Sequence, residues 1–234
     1  MSAREPKPVA IITARGGPKG LPRKNLLDLA GRPLICHTIA AALGCKSVHG
    51  VYVSTEDAEI AAVATTAGAV VIERPKALAR DDSSSREVCL HALDWLETRG
   101  EGAESFVLLQ PTSPLRTSDH IARCISDFEL RSYGCAISVC EAEHHPARFL
   151  KIGGDGLLSP WSSRELLNVP RQSLPKVYRQ NGAIYLIRTR DFRDRAEGFF
   201  LAPAMPFVMR PEDSIDIDTA LDFELARTVM EARR

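Results

Sequence analysis

Short apolar runs of strand length alternate with stretches of helical spacing, and this alternation restricts the chain more than any other feature. Residues 9–14, 51–54, 69–72, 106–109 and 136–139 have the length and apolar character of buried strands. Residues 34–43, 59–66, 84–96 and 118–130 lie between them with helical spacing; Val88, Leu90, Leu93 and Leu96 run along one of these stretches. Parallel strands need long crossover connections, and helices bury both faces of the sheet they cross. The pattern therefore predicts an α/β fold of Rossmann-like type, a mostly parallel sheet covered by helices. At 234 residues the chain is long enough for one such domain, taken as 1–234.

The alternation breaks at Glu141. From there to Arg179 the chain is rich in Pro, Gly and charge, with little periodicity. That is too long for a loop inside a compact domain. Residues 141–180 read as an inserted arm that pairs with a second subunit. Regular structure resumes with a strand at 183–187 and a last helix from about 220, where Thr219 and Asp222 have the spacing of a capping box.

Composition narrows the functional class. Thirty basic residues balance thirty acidic ones, so the basic excess of a nucleic-acid binder is missing and any attraction for anions is local. No run approaches a membrane span, and the polar opening reads as lacking a secretory leader. The six cysteines form no CxxC pair and no metal-ligand spacing. They are expected to be reduced packing thiols of a cytosolic protein.

Two motifs carry chemistry. The first strand runs into Ala14-Arg15-Gly16-Gly17-Pro18-Lys19-Gly20-Leu21-Pro22-Arg23-Lys24-Asn25. Glycines let a backbone approach phosphate closely, and four cations within ten residues neutralise it. The segment fits neither a Walker A loop nor GxGxxG. The alternative is a tight turn with solvated charges. The second motif is Asp213-Ser214-Ile215-Asp216-Ile217-Asp218. As a strand it sets Asp216 and Asp218 on one side and the isoleucines toward the core. Two carboxylates on one face suit Mg²⁺, which takes one or two of them together with phosphate and water oxygens. The alternative is a solvated strand edge. His144-His145 lacks an i, i+4 partner and is not read as a metal site. The Ser83-Ser84-Ser85 run lacks a nucleophile elbow and reads as a helix cap beside a nucleotide.

With these motifs in view, the chain resembles the bacterial CMP-N-acylneuraminate synthetases (acylneuraminate cytidylyltransferases). The resemblance runs from about Val9 to Ala226. It is carried by the loop above, VSTEDAEIA (53–61), ERPKALARDDSSS (73–85), LLQPTSPLRT (108–117), EHHP (143–146), PRQSLPKVYRQNGAIY (170–185), FFLAP (199–203) and DSIDIDTALDFELA (213–226). It implies a nucleotide-diphospho-sugar transferase fold, Mg²⁺ dependence and a homodimer. The substrates it implies are CTP and an acidic nine-carbon sugar, joined with release of pyrophosphate.

By position, the resemblance assigns Ala14, Arg15, Gly16, Lys24, Asn25, Arg74 and Ser85 to the nucleotide. Lys19 joins Arg15 and Lys24 in stabilising the leaving phosphates, and Asp216 and Asp218 hold the metal. Gln110, Thr112, Arg148, Tyr185, Phe199 and Phe200 are assigned to the sugar, and Arg171 reaches the neighbouring subunit's site. In this reading the sugar's anomeric hydroxyl attacks the α-phosphorus in line with departing pyrophosphate. Two departures stand out. Pro18 occupies a position where the family usually has Ser, and Arg148 one where it often has Lys. The phosphatase-like extension of animal relatives is not expected. Other acids remain open as acceptors: deaminated neuraminate, legionaminate, octulosonate or a phosphonate. A nucleotide-binding relative with a dead site is the third possibility.

Overall fold

The computed structural model describes residues 7–17, 20–80, 83–129 and 133–233. In chain order the elements are β1 (Val9–Thr13), β2 (Asp28–Leu29), β3 (Arg32–Pro33), α1 (Leu34–Leu43), β4 (Val51–Thr55), α2 (Ala58–Thr66), β5 (Val70–Glu73), α3 (Ser85–Glu97) and β6 (Ser105–Leu108). They continue with α4 (Ser118–Glu129), β7 (Cys135–Glu141), β8 (Leu150–Ile152), β9 (Leu158–Pro160), β10 (Tyr178–Arg188), α5 (Thr189–Asp194), β11 (Ala204–Val208) and α6 (Ala220–Ala232).

Seven strands form one sheet in the order β11-β7-β10-β6-β1-β4-β5. All neighbours pair in parallel except β10, which runs antiparallel to both β6 and β7. The period-2 geometry of the strands splits the core in two. Ala10, Ile12, Val51, Val53 and Val107 pack on one face with Ile35 and Ile39 of α1 and Ile121 and Ile125 of α4. Val9, Ile11, Tyr52, Phe106 and Leu108 pack on the other with Cys89 and Leu93 of α3 and Phe192 of α5.

Helix starts follow the expected chemistry. Ser84 caps α3 in a capping box with Glu87, and Thr219 caps α6 in one with Asp222. A smaller cluster of Leu29, Leu34, Ile217 and Ala226 fastens α6 and the segment before it to the β2–β3 hairpin.

Three sequence expectations change. Residues 214–218 form no strand. The backbone there is tied instead to the loop after β6, with the Ile217 amide donating to the Thr112 carbonyl at 2.9 Å. The alternation survives in part: Ile217 is fully buried, Ile215 and Asp216 are half-buried, and Asp218 is exposed. The arm, read as having little periodicity, contains a small antiparallel hairpin of β8 and β9. β11 was not foreseen. It pairs in parallel with β7 at the sheet edge. No helix among the described residues is long and apolar enough to cross a membrane.

Candidate active site

The parallel strands β1, β4, β5 and β6 end on the same edge of the sheet, where loops converge and open α/β sheets bind their ligands. A cleft of about 350 Å³ opens there, lined by Thr13, Arg15, Lys24, Asn25, Gln110, Pro111, Thr112, Asp216 and Asp218. A second cavity of about 320 Å³ is lined by Arg74, Leu78, Arg80, Ser83, Ser85 and Val88, and by the same Thr13 and Arg15. The two spaces meet along the end of β1.

The basic loop is held from both sides. Lys24 is buried, and its ammonium donates to the Ile217 carbonyl at 2.6 Å and to Asp218 Oδ1 at 3.0 Å. Asn25 donates to the Arg15 carbonyl at 3.1 Å. The Gly16 amide donates to Glu56 Oε1 at 2.8 Å. A Cβ on Gly16 would lie 2.2 Å from Asp57 Oδ2, so only glycine lets the loop pass so close to the N-cap of α2. Gly20 has φ +102°, a left-handed conformation that L side chains avoid.

Arg74 follows β5 and is 5 % exposed. Its side chain donates to the Ser54 carbonyl at 2.6 Å and to Ser54 Oγ at 3.2 Å, and Glu56 Oε2 lies 3.7 Å away. Burial pulls this guanidinium below its ordinary value, against the opposing pull of Glu56. Glu56 thus links the glycine loop to Arg74.

On the other side of the cleft, burial raises the Asp216 carboxyl above its ordinary value; Thr112 and Lys24 oppose the shift and Asp218 adds to it. Asp216 Oδ1 is buried without a hydrogen-bond partner among the described residues. Gly182, at φ +72° in the bulge of β10, leaves room for both this carboxylate and the Gln110 side chain. A Cβ there would sit 2.5 Å from Gln110 Oε1 and 3.3 Å from Asp216 Oδ2. No three His, Cys, Asp or Glu side chains cluster as a metal site among the described residues. A divalent cation held by Asp216 and Asp218 would therefore complete its shell with phosphate and water oxygens. The unpartnered Asp216 oxygen and the two-carboxylate donor set fit that chemistry.

The expected site residues divide. Arg15, Lys24, Asn25, Gln110, Thr112, Asp216 and Asp218 come together in one cleft, and Arg74 and Ser85 line the adjoining one. Ala14 is buried beneath them, its amide bonded to the Ser54 carbonyl. Lys19 and Pro18 lie outside the described residues. The remaining sugar-side candidates do not line the cleft. Tyr185 is a buried β10 residue against Phe199, which stacks on Phe192, and Phe200 is exposed. Arg148 donates to the Val169 carbonyl within the arm. Arg171 donates to the Glu143 carbonyl at 3.1 Å and lines a separate cavity with Glu141, His145 and Lys176. His145 accepts the Ala147 amide and caps a short turn.

Sequence reasoning passed over three residues. Arg179 lay within the 170–185 motif but was given no role; it donates to the Ser214 carbonyl at 3.4 Å and lowers the Asp216 carboxyl electrostatically. Glu56 lay within a quoted motif but was given no role. Asn181, two residues after Arg179, is buried and links the Ser138 and Ser214 hydroxyls.

A glycine loop and basic side chains beside paired carboxylates, at the carboxyl ends of parallel strands, define a nucleotide-handling α/β site. The cytidylyltransferase family model matches residues 9–145. The chain is 36 % identical to the N-acylneuraminate cytidylyltransferase of Escherichia coli over 97 % of its length, and covers 53 % of that protein. It is 33 % identical to the CMP-N,N'-diacetyllegionaminic acid synthase of Legionella pneumophila, covering 95 % of this chain and 96 % of that one. Among solved structures, a CMP:2-keto-3-deoxy-manno-octonic acid synthetase complexed with CTP superposes with a TM-score of 0.74 at 19 % identity. The match covers 97 % of this chain and 100 % of that one, and shows the shared fold. The chain belongs to the cytidylyltransferase family. It spans about half the length of the curated N-acylneuraminate cytidylyltransferases it matches.

Proposed function

We propose that this chain transfers CMP from CTP to an acidic nine-carbon sugar of the nonulosonic class, with release of pyrophosphate. The observation that carries this reading is the pair of adjoining cavities that share Thr13 and Arg15. One is lined by Arg15, Arg74, Arg80 and small polar groups, as a nucleotide requires. The other presents Asp216 and Asp218 opposite Lys24 and beside Gln110, as a reacting phosphate and a polar acceptor require. Relatives named for N-acylneuraminate and for diacetyllegionaminic acid support the acceptor class.

The reaction is an in-line displacement at the α-phosphorus, so the protein's task is positioning and charge neutralisation. Arg15, Lys24 and, from the loop sequence, Lys19 offset charge on the departing phosphates. Asp216 and Asp218 would hold Mg²⁺, whose chemistry is to withdraw charge from the bound phosphate and orient its oxygens. Asp216, beside Gln110 in the cleft, is the group suited to accept the proton of the attacking hydroxyl. The family resemblance gives Tyr185, Phe199 and Phe200 to the acceptor's apolar side; in this chain they lie behind the cleft and do not line it.

The same reading includes a homodimer. Phe149, Leu150, Ile152, Leu157, Leu158 and Trp161 of the arm are all exposed, apolar side chains of the kind that a contact between subunits covers. Arg148 and Arg171 lie outside the cleft of their own chain, which suits residues that act with a second copy. The thiols of Cys36, Cys45, Cys89, Cys124, Cys135 and Cys140 are free, five of them buried, which suits a cytosolic enzyme.

The test is pyrophosphate release with CTP and Mg²⁺ against N-acetylneuraminate, its deaminated form, legionaminate, pseudaminate and octulosonate. Turnover with a nonulosonate is expected. Turnover with octulosonate alone would overturn the acceptor class, and CTP binding with silence across the panel would overturn the reaction.

A further inference from the structure

Arg116 is almost fully buried, at 2 % exposure, in the loop that joins β6 to α4. Its Nη1 donates to the Ala183 carbonyl at 2.8 Å and to the Gln110 carbonyl at 3.2 Å. Nε and Nη2 have no hydrogen-bond partner among the described residues. Burial alone pushes its pKa down, to about 9, and the side chain makes no ion pair with a carboxylate among the described residues. A buried, unpaired cation is costly, and core positions of this kind usually go to apolar side chains.

The two carbonyls it joins flank a crowded point in the site. Gln110 lies two residues past the end of β6, and Ala183 follows Gly182, whose missing Cβ leaves room for Gln110 Oε1 and Asp216 Oδ2. The surrounding bonds repeat the connection. Ser113 Oγ donates to the Asn181 carbonyl at 3.4 Å, and Thr38 Oγ1 reaches the Gln110 carbonyl at 3.5 Å. Arg116 is the charged member of this set and the one that bonds both sides at once.

We propose that Arg116 is a positioning residue for the acceptor half of the site. By tying the end of β6 to the bulge of β10, it sets the separation between the Gln110 amide and the Asp216 carboxylate. It touches neither cleft carboxylate and does not figure among the charges that move Asp216. Its action is therefore geometric. The proposal rests on the transfer to an acid sugar described above. Lysine keeps the charge but is shorter and lacks the fixed guanidinium plane that sets the direction of both bonds, so it separates geometry from charge.

The experiment compares Arg116→Lys with the unmodified chain by three readouts. In steady-state kinetics the KM for the acid sugar rises about tenfold and kcat falls by a similar factor, while the Kd for CTP by calorimetry changes less than twofold. Combined with Gln110→Ala, the kinetic losses are strongly non-additive, because both changes act through one residue. In ¹⁵N spectra of the labelled protein the Gln110 side-chain amide shifts, whereas the Asn25 side-chain amide does not. Unchanged sugar kinetics in an active enzyme would overturn the proposal. So would additive losses, an equal loss of CTP affinity, or failure of Arg116→Lys to fold. If the unmodified chain is inactive on every acid sugar, the functional reading fails. The Gln110 resonance then decides the positioning role alone, and an unmoved signal overturns it.

Discussion

The Lys24 ammonium joins Asp218 and the carbonyl of Ile217 at once, at 3.0 and 2.6 Å. One cation therefore fastens the basic loop after β1 to the carboxylate segment that precedes α6. These bonds differ in worth. Asp218 is 75 % exposed, so water screens its ion pair, which contributes at most about 1 kcal/mol. The bond to Ile217 is buried. Asp218→Asn should therefore leave stability within about 0.5 kcal/mol, as expected of an exposed position. Lys24→Met should cost about 1.5–3 kcal/mol, the range for a hydrogen bond from a charged group. Both variants should lose pyrophosphate release. Urea denaturation separates the two, and equal stability losses would contradict the division.

Asp216 makes the site sensitive to pH in a defined direction. Its folded carboxyl titrates above the usual value of about 3.9 because burial disfavours its charge. The neutral form suits the fold. Its stabilising contribution is complete below the unfolded value and is lost as pH rises through the folded one. A divalent cation needs the charged form. The thermal shift produced by Mg²⁺ should therefore grow from pH 4.5 to pH 7.5. Asp216→Asn should melt no lower than the unmodified chain without metal, lose the Mg²⁺ response, and lose turnover by on the order of 10²-fold or more. A Mg²⁺ shift that persists in Asp216→Asn would move the metal elsewhere.

How much of this site was legible in the sequence depends on the range of the forces that build it. The strands at β1, β4, β5, β6 and β7 are local apolar runs, and the loop after β1 carries its charges within a few residues, so both could be read. Asp216 and Asp218 were legible as a pair, but not their backbone. Alternation reports which side chains turn inward. It does not report that Ile217 pairs with Thr112 instead of a neighbouring strand. β11 was hidden by Pro206, which an edge strand tolerates because its missing N–H faces no partner. Arg179, Asn181 and Arg116 were illegible for a different reason. Their roles come from the β10 bulge meeting two distant loops, and a charge or amide in sequence carries no mark of such a meeting.

Asn181 has a stability role that can be measured. Its Oδ1 accepts from Ser138 Oγ at 2.6 Å and from the Ala183 amide at 3.2 Å, and its Nδ2 donates to Ser214 Oγ at 2.9 Å. Ser214 lies two residues before Asp216. Asn181→Ala leaves several buried partners unsatisfied at once, each costing about 1–3 kcal/mol. The expected loss is at least about 2 kcal/mol in urea denaturation. Asn181→Asp keeps the acceptor, loses the donor to Ser214 and buries a carboxylate, so it should cost at least as much at neutral pH and recover part of the loss on acidification. A neutral Asn181→Ala would mean that the network relaxes freely.

Gly182 gives the sharpest separation between the two halves of the cleft. At φ +72° an alanine is strained by about 1–2 kcal/mol, and its Cβ would lie 2.5 Å from Gln110 Oε1. That oxygen is the far end of a flexible side chain, so the amide swings away and the protein still folds. Asp216 Oδ2 at 3.3 Å needs to give by only a few tenths of an ångström. The nucleotide cavity around Arg74 and Ser85 shares no residue with this crowding. Gly182→Ala should therefore raise the acceptor's KM about tenfold or more and leave the Kd for CTP within twofold. Calorimetry with CTP alone and steady-state kinetics with the acid sugar make the comparison. An equal loss on both sides would mean that the cavities are coupled through β10 and do not act as separate subsites.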